Sequence, residues 1–179
     1  PSDHALSLGS RLAQPAVLDA IDTADAVLVV GSELGQSDLF TRALSPRGRV
    51  IRIDIDPAMA EVNLPSEVFL CGDASMVMSD LYRAVTSGSA TRDARPRWVA
   101  QARAEAEKAA ADAGARWVPW LTAMQSALDS DAVIATDNAM AVYVGAIPNL
   151  VVTKPASLHF PTGFGTLGFT VPVALGAAL

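Results

Sequence analysis

Ala26-Val27-Leu28-Val29-Val30-Gly31 is an unbroken apolar run closed by glycine, and its reading decides the fold. No polar side chain alternates within it, so it reads as a strand buried on both faces, as in parallel sheets covered by helices. Two more such runs follow. Val50-Ile51-Arg52-Ile53-Asp54-Ile55-Asp56-Pro57 reads as a strand closed by proline, and Val68-Phe69-Leu70-Cys71-Gly72-Asp73 as a third. Apolar spacing predicts a short helix over residues 15–22, with Pro15 in its first turn, and a longer one over residues 74–85. Residues 1–85 therefore read as most of an α/β domain with a Rossmann-like, doubly wound parallel sheet.

Outward from this domain the character of the chain changes. Thr86 to Asp93 is polar and reads as a linker. Ala100 to Ala113 is alanine-rich and charged, with strong helix propensity but a thin apolar stripe, so a surface helix is expected. Residues 117–128 then predict a helix, 132–137 a strand, 139–145 a helix and 150–153 a strand. The expected organisation is a domain over 1–85, a linker with a helix over 86–115, and the start of a second α/β domain over 116–179.

Composition bounds the function. Hydrophobic residues make up 51% and charged ones 18%, and the apolar stretches are broken well short of the roughly twenty residues that span a bilayer. Nineteen acidic against 13 basic residues, a net charge of -6, argue against nucleic acid as a partner. The single cysteine, Cys71, forms no internal disulfide and suits a reducing cytoplasm. The chain begins without Met and its glycine-rich helix reaches Leu179, so a piece of a longer protein is expected.

Three strand ends carry the first constellation. Gly31 and Ser32 follow the first strand, Asp54 and Ile55 close the second, and Asp73 and Ala74 follow the third. Carboxyl ends of parallel strands are where ligands bind in such sheets. Glycine there brings backbone N–H groups toward a phosphate, and a carboxylate holds a ribose hydroxyl. The same glycine also serves as a tight turn in any doubly wound domain. Gly31-Ser32-Glu33-Leu34-Gly35, the segment after the first strand, is not a GxGxxG fingerprint, which disfavours an NAD-dependent dehydrogenase. His4 and His159 lack metal-like partner spacing and read as solvated or structural, so no metal ligands are assigned, although His159 stands just before a turn that could face substrate.

The second constellation is Gly163-Phe164-Gly165-Thr166-Leu167-Gly168-Phe169-Thr170-Val171-Pro172-Val173-Ala174-Leu175-Gly176, a glycine-dense turn opening into a small-residue apolar helix. Such a turn offers carbonyls and an apolar wedge, not acids and bases. With Pro161 and Thr162 ahead of it, this segment resembles the entry to the cofactor domain of thiamine-diphosphate enzymes of the acetolactate synthase and 2-oxo-acid decarboxylase superfamily. Residues 3–9, 24–34, 52–57 and 72–74 are similar to the middle domain of the same enzymes.

The resemblance implies a thiamine diphosphate site in which Leu167 is the wedge that bends the cofactor and the Gly165 carbonyl accepts from its aminopyrimidine amine. Thr166 lies between them, and Asn138 stands where relatives contact the diphosphate. Gly31, Ser32, Asp54, Ile55, Asp73 and Ala74 match the middle-domain positions that contact FAD in acetolactate synthases and ADP in some relatives. Glu33 departs from the Arg usual in FAD-binding members and would repel a pyrophosphate. The family's Gly-Asp-Gly motif, which holds Mg²⁺ and the diphosphate, and its activating Glu do not occur here, so the isolated chain is expected to be inactive. The resemblance further implies a homodimeric or homotetrameric enzyme that decarboxylates a 2-oxo acid through a thiazolium carbanion, the product then being protonated to an aldehyde or added to a second carbonyl. The wording from His159 to Gly168 looks closer to 5-guanidino-2-oxopentanoate decarboxylase-type proteins than to biosynthetic acetolactate synthases. The alternative is a non-enzymatic nucleotide-binding or assembly module.

Overall fold

The computed structural model describes residues 4–40, 43–87 and 97–179. They fall into two compact units, one of Leu18–Arg95 and one of Pro1–Val17 with Pro96–Leu179. Helix α1, Pro15–Asp22, crosses the sequence boundary between them.

The first unit holds a parallel three-stranded sheet in the order β1-β2-β3, formed by Ala26–Val30, Arg49–Asp54 and Val68–Cys71. A four-residue helix α2, Gln36–Leu39, and a 3₁₀ turn, Pro57–Ala60, lie in the two crossovers, and α3, Ala74–Ser87, follows β3. The register sets Leu28 beside Ile51 and Val68, and Val30 beside Ile53 and Leu70, so these six share one face. On that face the central Ile53 is buried while Leu28, Val30, Val68 and Leu70 are exposed. Coverage of both faces, expected from the unbroken apolar runs, is therefore corrected for the outer strands of this unit. Val29 and Arg52 are buried on the other face.

The second strand is shorter than its sequence suggested. It ends at Asp54 because the Asp56 N–H turns back to Asp54 Oδ1 at 3.0 Å, and Asp56 then caps the 3₁₀ turn through Ala58 N–H at 2.9 Å. Likewise β3 stops at Cys71, and Asp73 Oδ1 accepts the Met76 N–H at 3.1 Å in the first turn of α3. That helix runs on through Thr86 and Ser87, two residues read as linker; residues 88–93 of that reading lie outside the described residues.

In the second unit, α4 spans Arg97–Ala113 and packs against a π-helical segment, Ala141–Ala146, and against α6, Ile147–Asn149. Helix α4 buries only its thin apolar stripe, Val99, Ala102, Ala106 and Ala110, the last two at 0% exposure, and leaves its charged side in water. Methyl groups at i and i+4 let neighbouring backbone approach closely, and Asn149 Nδ2 donates to the Ala110 carbonyl at 3.2 Å. Helix α5 is Val118–Ala127.

A two-stranded parallel sheet pairs β4, Ile134–Ala135, with β5, Leu158–His159. The strand expected over 150–153 is absent. Gln125 instead takes both polar groups of Val151, donating to its carbonyl at 2.8 Å and accepting its N–H at 3.4 Å, so a side chain replaces a ladder partner there. The last helix is α7, Thr170–Ala177. Among the described residues no helix is long and apolar enough to cross a membrane.

Candidate functional site

In the first unit the strand ends form an open cleft of about 400 Å³ lined by Gly31, Glu33, Asp54, Ile55, Asp56, Met59, Asp73 and Ala74. Five of the six residues matched to a nucleotide site thus come together; Ser32 is not in the lining. The Gly31 N–H is spent on the sheet, donating to Ile53 O at 2.9 Å, and is not offered to a phosphate. Ser32 Oγ accepts the Leu34 N–H at 3.1 Å within its own loop. Four carboxylates line the cleft and no Lys or Arg does, among the described residues. At about 1 kcal/mol per like-charge pair 4 Å apart even in bulk water, this lining does not fit a diphosphate, whereas it suits hydroxyl donors.

Beneath this cleft lies a residue the sequence reading passed over. Arg52 is 1% exposed, and its guanidinium donates to the carbonyls of Ser32 at 2.5 Å, Val62 at 2.5 Å and Leu64 at 3.1 Å. Its planar fork joins the loops after β1 and before β3 from the middle of the sheet. The only signal was a charge inside an apolar strand.

In the second unit the glycine turn stands at the end of β4. Gly163, Gly165 and Gly168 adopt φ of 79°, 60° and 83°, a region that side-chain-bearing residues avoid. At Gly165 space is closed as well, because an added Cβ would meet Asn138 Nδ2. Asn138 donates through Nδ2 to the Gly165 carbonyl and accepts through Oδ1 from the Tyr143 hydroxyl, which the π-helical segment supplies. Phe164, Thr166 and Leu167 project outward, Leu167 with 75% of its surface exposed. His159 Nε2 lies 2.9 Å from the Ala156 carbonyl, which can only accept, so the ring donates there and steadies its own loop.

Asp137, the last residue of the strand expected over 132–137, is the hub of this region. Its Oδ1 accepts the Asn138 N–H at 2.8 Å and the Gly168 N–H at 3.1 Å; its Oδ2 accepts the same Gly168 N–H at 2.9 Å and the Thr170 hydroxyl at 3.3 Å. The Asn138 N–H above all, then Gly168 and Thr170, hold its carboxyl below the ordinary value against the opposing effect of partial burial.

Residues 1–81 match the family model for the central domain of thiamine pyrophosphate enzymes. The chain belongs to the thiamine pyrophosphate enzyme superfamily. It is 35% identical over 181 residues to the "Probable 2-ketoarginine decarboxylase" of Pseudomonas aeruginosa, an alignment covering 100% of this chain and 32% of that protein. It is 33% identical over 90 residues to the "Probable acetolactate synthase large subunit" of Methanocaldococcus jannaschii, covering 48% of this chain and 15% of the relative. The chain thus spans about a third or less of the curated relatives it matches.

The glycine turn fits the family's cofactor. The Gly165 carbonyl keeps a second lone pair beside its bond from Asn138, and the exposed Leu167 has open space in front of it. Asn138 itself faces the turn, with both ends of its amide engaged.

Proposed function

We propose that a protein containing this chain uses thiamine diphosphate and Mg²⁺ to decarboxylate a 2-oxo acid, with 5-guanidino-2-oxopentanoate as the first substrate to try. The observation that carries this reading is the Gly163–Gly168 turn at the end of β4, which presents an exposed Leu167 between two anchored peptide groups. When bound, thiamine diphosphate supplies the electron sink that lets the carboxylate leave as CO₂. This chain's part is to orient it: Leu167 supports the bend, the Gly165 carbonyl receives the amine, and the glycines at 163 and 168 let backbone come close. Asn138 acts through the turn and not as a diphosphate ligand. Release of an aldehyde or addition to a second carbonyl would be decided by residues around the substrate.

The relative described as a 2-ketoarginine decarboxylase supports the substrate choice, since its similarity extends over the whole chain. Val171 and Leu175, exposed at i and i+4 on α7, favour burial against another surface in a homo-oligomer. No Gly-Asp-Gly tripeptide occurs among the 179 residues, so the 179 residues alone are expected to be inactive and to bind the cofactor weakly. The test is CO₂ release from a panel of 2-oxo acids by the complete protein, with thiamine diphosphate and Mg²⁺ present, then withheld. Turnover that needs both and is fastest with the guanidino substrate is expected; turnover indifferent to thiamine diphosphate would overturn the reading.

A further inference from the structure

We propose that Asp137 is a positioning residue: from the end of β4 its carboxylate ties the glycine turn to the start of α7 and so fixes where Leu167 points. The role toward Leu167 rests on the thiamine diphosphate reading above. Leu167 is largely exposed, so packing does not hold it. Its direction comes from the backbone on either side. Two residues before it, the Gly165 carbonyl is held by Asn138; one residue after it, the Gly168 N–H is held by both oxygens of Asp137 at 2.9 and 3.1 Å. Two adjacent residues, 137 and 138, thus grip both flanks of the wedge.

The second tie is the Thr170 hydroxyl on Asp137 Oδ2, which fastens the first residue of α7 to the same carboxylate. Gly168 at φ 83° has no regular ladder partner for its N–H, and nothing lies within 4 Å of an added Cβ, so its glycine serves the backbone angle that aims this N–H at Asp137. An ionised carboxylate only accepts, with two oxygens, and can take Gly168 and Thr170 together. A carboxamide has one acceptor and must lose part of the set.

The experiment uses the complete protein as unaltered, Asp137→Asn, Asp137→Ala and Thr170→Val forms. Without cofactor, amide hydrogen exchange is followed at residues 165–170. Exchange at Gly168 is expected to rise on the order of tenfold in Asp137→Ala, less in Asp137→Asn and least in Thr170→Val. With cofactor, kcat should fall in the same order, approaching a hundredfold in Asp137→Ala because a displacement of about 1 Å at a reacting centre costs that much, while KM for the 2-oxo acid stays near that of the unaltered protein. Should Asp137→Ala not fold, the other two variants carry the comparison. Unchanged exchange at Gly168 in Asp137→Asn overturns the positioning role. Lack of thiamine diphosphate-dependent turnover in the unaltered protein overturns the functional reading instead, and the two failures are read on different samples.

Discussion

The cleft at the ends of β1, β2 and β3 and the turn before α7 both stand at carboxyl ends of parallel strands, yet they are held in opposite ways. Around the cleft each aspartate serves its own loop: Asp54 accepts from Asp56, Asp56 from Ala58 and Asp73 from Met76, two or three residues away. At the turn, Asp137 and Asn138 reach across 27 to 33 residues to Gly165, Gly168 and Thr170. A rim of self-capped loops forms wherever its local sequence goes. A turn pinned by a distant strand exists only once the two segments have met, which couples its geometry to the folding of its whole unit.

The sharpest break of this contrast is at Arg52, a long-range tie beneath the cleft that Asn63 accompanies by donating to the Glu33 carbonyl at 2.9 Å. Replacement by Met leaves three carbonyls, one buried and two part-buried, without their donor while relieving a buried charge, for a net loss of roughly 3 kcal/mol. Urea unfolding should show it; a loss under about 1 kcal/mol would mean that the cleft needs no tie beyond its local caps.

Next in size is Leu167→Ala in the complete protein, with turnover lowered about a hundredfold and the melting transition little changed. A buried Leu would instead cost about 2–5 kcal/mol of stability on truncation, but this side chain is exposed. Normal turnover would show that the turn, however well held, does not present a working wedge.

A smaller effect is expected at Glu33. Removing its charge in Glu33→Gln should raise ADP affinity about fivefold by titration calorimetry, the equivalent of about 1 kcal/mol for one relieved charge pair. Tighter ADP binding by the unaltered chain would mean that the carboxylate rim does not set the cleft's ligand chemistry.

The smallest effect is the acid dependence of Asp137. Its folded pKa lies below its ordinary value, so its contribution to stability is full above the ordinary carboxylate range and is lost as pH falls through the lowered value. The stability difference between unaltered protein and Asp137→Asn, measured by urea unfolding from neutral to strongly acidic pH, should shrink toward zero along that path. A difference that grows with acid would contradict the hydrogen-bond pattern described.

The same division explains what the sequence could reveal. Ala26–Val30 was legible as a strand because its apolar run and terminal glycine are local signals, and α1 over Pro15–Asp22 was legible by spacing. The strand-end cleft followed from topology alone. In contrast, Leu150 to Thr153 carries strand-forming residues, yet Gln125 from α5 takes Val151's polar groups, and nothing nearby in sequence announces that. Asp137 was hidden for the same reason, its partners lying more than thirty residues on. The turn glycines were visible as letters; which residue gripped them was not.

Helix α4 carries a consequence for how this chain can vary. With Ala106 and Ala110 enclosed and the Asn149 amide resting on the Ala110 carbonyl, one side of the helix has room for a methyl group and nothing larger. Its outward side, with Gln101, Glu105 and Lys108 in water, is free to drift among polar residues. Among relatives, alanine and glycine should therefore alternate at 102, 106 and 110 while charges come and go beside them. A segment that looks like low-complexity filler would be, on its inner side, among the slowest-changing surfaces of its unit.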